Sequence, residues 1–362
     1  MSRRVYLHVG APKTGTTYVQ DRLALNADAL RRHRYAYPVG PHPDMFLAAL
    51  DVVQRPWGGL RPQAEGEWAA LVERTRRARG TVVLSHEILA GASPTEARNA
   101  MADLSFAEVH VVYSARDLAR QVAAEWQEQL KHRRKVSFAT FLRQLQESDP
   151  RRSHRWFWRV QGLPGVLDRW GHGLPPERIH LVTVPQPGAP YGALWRRFCT
   201  AVGMDPEWAP LDSERRNPSI GVAESTLIRK LNARLKKAGM ASEDYRALVR
   251  QLVVHETLAH RPRMKPVTLP PEAFDWAEEI TEGWEDWVRA SGVDVIGDLE
   301  DLRPVRPAPG TRWHDPDDPK PRDVASAALD ALEALALEAA RRAEPPEPPL
   351  TRAARLARLL KR

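Results

Sequence analysis

The stretch "YLHVGAPKTGTTYVQ", residues 6–20, constrains this chain more than any other. A short apolar run ends at Gly10, a glycine-bounded loop follows, and a helical pattern then begins. Such a turn aims backbone N–H groups and the positive end of a helix at one point, which suits an anion. Gly10 and Gly15 keep the spacing of the G-x-x-x-x-G-K-[ST] loop that grips nucleoside triphosphates. Here, however, Lys13 lies inside the loop, and Thr16 and Thr17 follow the second glycine. Pro12 stiffens the turn and Lys13 adds a mobile point charge. An ordinary strand–helix connection needs none of these residues, so their coincidence favours an anion loop.

The first 135 residues alternate strand and helix signals. "GTVVLSHE" and "EVHVVYSARD" are two further β-branched runs, each followed by polar residues and a helical pattern, and "RIHLVTVP" near 178–185 is a fourth. Residues 16–34 read as one helix with Val19, Leu23, Ala27 and Leu30 on a face. This alternation predicts an α/β fold, a three-layer sandwich with a central parallel sheet flanked by helices. Ligands of such sheets collect at the carboxyl ends of strands, where Lys13–Thr17, Ser85–Glu87 and Arg116–Asp117 converge. Helical spacing continues at Leu194, Phe198 and Val202; at Leu227, Leu231 and Leu235; and at Tyr245, Leu248, Val249, Leu252 and Val253. A last core-facing stripe carries Ile280, Trp284, Trp287 and Val288. The proline-rich segments 36–66 and 261–271 read as irregular. The organisation expected is one domain over 1–302, a Pro-rich linker over 303–322 and a helical C-terminal tail over 323–362. The tail ends in a basic helix with Leu356, Leu359 and Leu360 on one face, which suits a membrane surface or a partner. A solvated charged terminus is the simpler account.

Charge narrows the partners. Lys+Arg 54 against Asp+Glu 46 gives +8, and about half of that excess lies in residues 345–362. A duplex nucleic acid wants a concentrated basic face, so no nucleic-acid partner is expected, while a basic cleft for a small anion is. Cys199 is the only cysteine, which excludes an intrachain disulfide and a multi-thiolate metal site, and its helical spacing makes it a core residue. No apolar run approaches the roughly 18 residues of a membrane span. "VYLHVG" is too short for a signal segment, and a cytoplasmic location is the expectation. A triphosphate loop normally works with Mg²⁺, held partly by an aspartate at a neighbouring strand end. Here the neighbouring strands end in "LSHE", "YSARD" and "VTVP", where Asp117 follows a cation and Glu87 has no second carboxylate nearby. The site expected is cationic and metal-free.

"HVGAPKTGTTYVQ" closely resembles the 5′-phosphosulfate loop of bacterial, P-loop-like sulfotransferases that use 3′-phosphoadenosine 5′-phosphosulfate (PAPS). "VVYSARDLARQVAAEW" resembles their second signature, and the resemblance covers roughly residues 4–302, strongly in the first motif and loosely elsewhere. It implies an in-line sulfuryl transfer from PAPS to a hydroxyl, or less readily an amine, of a small-molecule or carbohydrate acceptor. Lys13 would stabilise the bridging oxygen and sulfuryl group. The loop from Pro12 to Thr17 would hold the 5′-phosphate, through the amides of Thr14, Gly15, Thr16 and Thr17 and the two threonine hydroxyls. Arg116 matches the 3′-phosphate arginine. The serine usual eight residues later is replaced by Ala124, a departure for which Ser114, Arg120 or "SERRNPSIG" is expected to compensate, with Arg216 and Ser219 the candidates. A polar loop capping the next helix explains that segment equally well. The base is His86 or Glu87, with Glu87 favoured, and successive residues at a strand end point opposite ways, so one faces the cleft. His132 is a candidate to line the acceptor pocket, which segments 36–66 and 136–165 are expected to shape. Trp57 invites a stacking role for adenine, but no tryptophan is assigned. An ATP-dependent small-molecule kinase with an atypical loop is one alternative; Ala124 gives some support to another, a non-catalytic nucleotide-binding protein. The acceptor and the oligomeric state are not written in the sequence.

Overall fold

Strands β1 (Arg4–His8), β2 (Tyr35–Ala36), β3 (Thr81–Ser85), β4 (Glu108–Ala115), β5 (Ile179–Thr183) and β6 (Asp294–Ile296) form one sheet in the order β2-β3-β1-β4-β5-β6. The computed structural model describes residues 3–38, 44–214 and 219–343. Every neighbouring pair of strands is parallel, with Leu7 opposite Leu84 on one side and Val111 on the other. The strand that feeds the glycine loop therefore lies between β3 and β4. Burial on both faces explains why the central strands read as continuous apolar runs.

The helices of the first half are α1 (Thr16–Leu25), α2 (Ala27–Arg32), α3 (Asp44–Val53), α4 (Arg61–Ala64), α5 (Glu67–Arg77), α6 (Pro94–Asp103), α7 (Leu118–Lys131) and α8 (Phe138–Gln146). The second half adds α9 (Trp156–Gln161), α10 (Leu163–Trp170), α11 (Ala193–Ala201), α12 (Val222–Lys237), α13 (Ser242–Asp244), α14 (Phe274–Ser291) and α15 (Pro321–Ala343). Side-chain alternation along the strands divides the core in two. Tyr6, Val83, Val112 and Val182 pack with Val19 and Leu23 of α1, Leu30 of α2, and Trp195, Phe198 and Cys199 of α11. Val5, Leu7, Leu84, Val111 and Leu181 belong to the larger cluster with Leu50, Leu71, Val122, Trp126, Trp158 and Trp170. The three-layer α/β sandwich expected from the sequence is the fold observed. Burial pushes the Cys199 thiol well above its usual range, as befits a core residue.

Several local expectations change. The helix read over 16–34 breaks at Asn26, whose side chain donates to Arg22 O and Leu211 O and accepts from the Leu211 amide at 2.9 Å. The region read as irregular over 36–66 contains α3, which buries Met45, Ala48, Ala49 and Leu50 against the core. α13 continues over Tyr245–Thr257 as a helix of wider, i to i+5 pitch. It buries Tyr245, Val249, Val253 and Val254, whereas Leu248 and Leu252 are half-buried.

Residues 303–320 carry no helix or strand, yet they are tied to the body. Arg303 pairs with the buried Glu285 at 2.8 Å, and the Trp313 indole donates to Thr268 O at 3.1 Å. Asp317 accepts from the Phe138 and Ala139 amides at the head of α8, at 3.1 and 2.8 Å. α15 then lies against α12 and the wide helix, with Ala327 buried and Arg261 bonded to Asp330 and Ser326. The basic helix expected over the last residues lies outside the described residues. Among those described, no helix is long and apolar enough to cross a membrane.

Candidate functional site

The glycine loop is held by its carbonyl oxygens. Gly10 O accepts from the Ser114 amide at 2.6 Å, Ala11 O from the Thr14 hydroxyl at 2.6 Å, and Pro12 O from Gln161 at 3.0 Å and also from Gln121. α1 begins at Thr16 with Gly15 as its cap residue and no capping side chain, so its first-turn amides have no acceptor within the helix. Gly15 sits at φ +85°, and a Cβ there would lie 2.5 Å from Leu194 Cδ2. Lys13 is also left-handed, at φ +65°. The loop thus has its carbonyls tied inward and its amides presented at a helix head, a geometry that suits an anion.

Beneath the loop, one imidazole joins three strands. His8 of β1 bonds Ser85 Oγ of β3 at 2.8 Å through Nδ1, and Ser114 Oγ of β4 at 3.0 Å through Nε2. Complete burial lowers its pKa to about 4, so it stays neutral near pH 7. Ser114 is thereby committed to the floor of the site. Past β3 the two candidate bases diverge. His86 is buried against Phe46, and its Nδ1 accepts from the Ile88 amide at 3.2 Å, which gives it a capping role. Glu87 is a quarter exposed and accepts from Gln20 at 3.0 Å. Burial alone would raise its pKa, but His86, its own backbone amide, Gln20 and the Thr16 hydroxyl together hold it below the usual carboxylate range. The turn they start is pinned at its carbonyls by Arg159, Arg169 and Trp170.

At the end of β4, Arg116 donates to Arg120 O at 2.9 Å, and Arg120 reaches Asp117 and Pro185 O. Arg116 Nε and Arg120 Nη2 are buried without a hydrogen-bond partner among the described residues. Burial, with Arg120 adding to it, lowers the Arg116 pKa to about 10. Buried cationic nitrogens without acceptors are costly, and an anionic oxygen would satisfy them. Ala124 is half-buried on α7 and offers no hydroxyl there. Ser213 bonds Asp21 of α1 at 2.6 Å, and Ile220 O accepts from Gln127 of α7. Arg216 lies outside the described residues, and Ser219 is exposed.

Lys13 is not solitary. It pairs with Glu128 on α7, which also faces His132 at 3.2 Å, Arg250 at 3.5 Å and Lys131 at 3.7 Å. Burial favours a protonated Glu128, but His132, Lys13 and Lys131 outweigh it and hold the carboxyl far below the ordinary range. One turn earlier, Glu125 is 4 % exposed, and burial raises its pKa to about 7 against the pull of Lys13. Trp57 meets the ring of His132 at 6.1 Å and that of Trp156 at 5.6 Å, on the Glu128 side of Lys13. Segments 36–66 and 136–165 thus meet beside His132.

Sequence reading missed Glu125 and Glu128. Their signal was the spacing Glu125, Glu128, Lys131 and His132, which puts four titratable groups along one helix face just after the arginine motif. Family models, curated proteins and solved structures offer no match to this chain.

Proposed function

We propose that the chain is a PAPS-dependent sulfotransferase that transfers a sulfuryl group to an oxygen, or less readily a nitrogen, of a small-molecule or carbohydrate acceptor. The observation that carries this reading is a pair of separate anion grips at adjacent strand ends. One is the uncapped loop with Lys13, and the other is Arg116 with Arg120, whose Nε and Nη2 respectively are buried without a partner among the described residues. PAPS has two phosphates far apart on one nucleoside, and it would supply a sulfuryl group on a reactive phosphosulfate anhydride. Amides of Thr14 to Thr17 would hold the 5′-phosphate, and the Thr17 hydroxyl, which has no partner among the described residues, is better placed to help than that of Thr16, which serves Glu87. Arg116 and Arg120 would hold the 3′-phosphate.

Lys13 would exchange Glu128 for the oxygen between phosphorus and sulfur, and neutralise the charge that develops there as the S–O bond breaks. The acceptor's proton would pass to a carboxylate as the new S–O bond forms. Glu125 suits that role better than Glu87. It lies within the field of Lys13, and its pKa of about 7 matches neutral working conditions. Glu87, held low, orders the first turn of α1.

Calorimetry with 3′-phosphoadenosine 5′-phosphate and a labelled-PAPS transfer assay test this reading. Tight binding without magnesium is expected, with Lys13→Ala lowering transfer by at least about 10³-fold while the fold and product binding persist. Near-normal transfer by Lys13→Ala, or magnesium-dependent ATP turnover, would sink it.

A further inference from the structure

Two of the apolar strand runs carry a histidine at the same place, in "EVHVV" of β4 and in "RIHLV" leading β5. The fold brings the pair together at the amino ends of the strands, away from the glycine loop. His110 Nδ1 lies 2.9 Å from His180 Nε2. The ring planes differ by only 7°, and two aromatic faces cannot approach to that distance, so the contact runs edge to edge. Each outer nitrogen meets a carboxylate. His110 Nε2 is 3.0 Å from Glu108 Oε1, and His180 Nδ1 is 2.7 Å from Oδ2 of Asp294, its cross-strand neighbour on β6. Tyr6 covers both buried rings, with centroids at 4.8 and 5.9 Å. Glu108, His110, His180 and Asp294 thus form one unbroken chain across three strands.

Counting hydrogens along this chain decides its charge. Each contact between a ring and a carboxylate needs one hydrogen, and the contact between the rings needs another. Two neutral imidazoles carry only two N–H bonds, one short of the number required. One contact would then set lone pair against lone pair in a buried place, which is costly. A third hydrogen closes every contact. Burial lowers the His110 pKa against the pull of Glu108, with His180 and Arg4 adding to the effect. The extra proton therefore belongs on His180, beside the half-exposed Asp294. The opposing cations are Arg4 and Arg178, which pair with Glu108 at 2.8 and 3.6 Å. Arg197 of α11, the helix over β5 and β6, turns instead to Thr183 and Asp301 at the other end of these strands.

We propose that this chain is a proton-operated clasp: one hydrogen beyond two neutral imidazoles, held by His110 and His180, ties Glu108 of β4 to Asp294 of the edge strand β6. Rising pH removes that hydrogen and opens one of the contacts. β6 has three residues and a single partner strand, so it depends on such a tie more than the central strands do. The folded chain binds the hydrogen more tightly than the separated side chains do. Its contribution to stability is therefore complete on the acid side and lost as pH rises, opposite in sign to that of His8. The clasp lies apart from the glycine loop, and the inference does not rest on the sulfotransferase reading.

The test uses the full chain with ¹⁵N-labelled histidine. At about pH 7, where an ordinary imidazole is mostly neutral, the four ring nitrogens of the pair should show three N–H bonds and one bare nitrogen. At about pH 9 they should show two of each. Over the same interval, the exchange protection of β6 amides, corrected for intrinsic rates, should fall at least about tenfold, equivalent to one pH unit of linked proton affinity. Asp294→Asn is the deciding variant, and its half-exposed position spares the core. An asparagine N–H can donate to His180 Nδ1, so the rings then need only two hydrogens. The third N–H should be absent from this variant at about pH 7, and its change in β6 protection should shrink to about twofold or less. Two N–H bonds in the wild-type pair at about pH 7, a third that survives in Asp294→Asn, or wild-type β6 protection that ignores pH would each overturn the proposal.

Discussion

Replacing Arg116 by methionine should separate binding from stability, and in opposite directions. The guanidinium is nearly enclosed, its Nε has no partner among the described residues, and burial lowers its pKa to about 10. A depression of that size means that folding the charged side chain costs on the order of 3 kcal/mol, at about 1.4 kcal/mol per pH unit. Methionine keeps the aliphatic stem and removes the charge, losing the bond to Arg120 O at roughly 1 kcal/mol. The ligand-free protein should therefore be neutral to about 2 kcal/mol more stable in urea unfolding. On the proposed function the same change would remove charge-assisted bonds to a phosphate, worth roughly 1.5–3 kcal/mol each, so affinity for 3′-phosphoadenosine 5′-phosphate should fall by about 10²–10³-fold. Paired chemical-denaturation and calorimetry measurements read both signs. A variant that loses more than about 2 kcal/mol of stability and binds the nucleotide normally would show that Arg116 serves the fold, and the reasoning would fail.

The buried His8 makes stability depend on pH. Its folded pKa of about 4 lies below the unfolded value, so the unfolded chain takes up the proton first as pH drops below about 6.5. Stability should decline through that window by roughly 3 kcal/mol at pH 4, and His8→Gln should flatten that part of the curve; an unchanged slope in urea titrations at several pH values would contradict this. Gly15→Ala should cost about 2 kcal/mol, from a left-handed backbone and the 2.5 Å approach to Leu194 Cδ2, with weaker nucleotide binding; an unshifted melting temperature would refute it. Asp317→Ala removes both amide acceptors at the head of α8 and should cost about 1–2 kcal/mol, whereas a free linker would show no change in unfolding.

The central strands were legible because β1, β3, β4 and β5 bury both faces and so read as β-branched runs. β2 and β6 were not, since two or three residues at a sheet edge carry no period of their own and exist through pairing. α3 hid in a proline-rich segment because its prolines fall outside the helix while its apolar residues fall within it. In the candidate site, Lys13 and Arg116 stand out through motif spacing. Glu125 and Glu128 do not, because charges at i, i+3 on a helix normally mark a solvated face, and only tertiary contact turns this face inward. The segment after Leu302 reads as a linker by its prolines and charges. Its fixed partners, Glu285, Thr268 and the head of α8, are distant in sequence, and no local pattern announces them.

The position of α15 has a structural corollary for the helix it leans on. The wide helix that carries Arg246 and Arg250 meets the core on one side through Val249 and Val253 and meets α15 on another. α15 works as a buttress: it backs the helical wall whose Arg250 reaches Glu128, the partner of the loop lysine. A chain ended at residue 302 would keep the sheet, the glycine loop and the strand-end arginines, and would let the wall drift. Such a chain should lose the α15 contacts that hold Arg250 beside Glu128, while the glycine loop and its lysine stay in place.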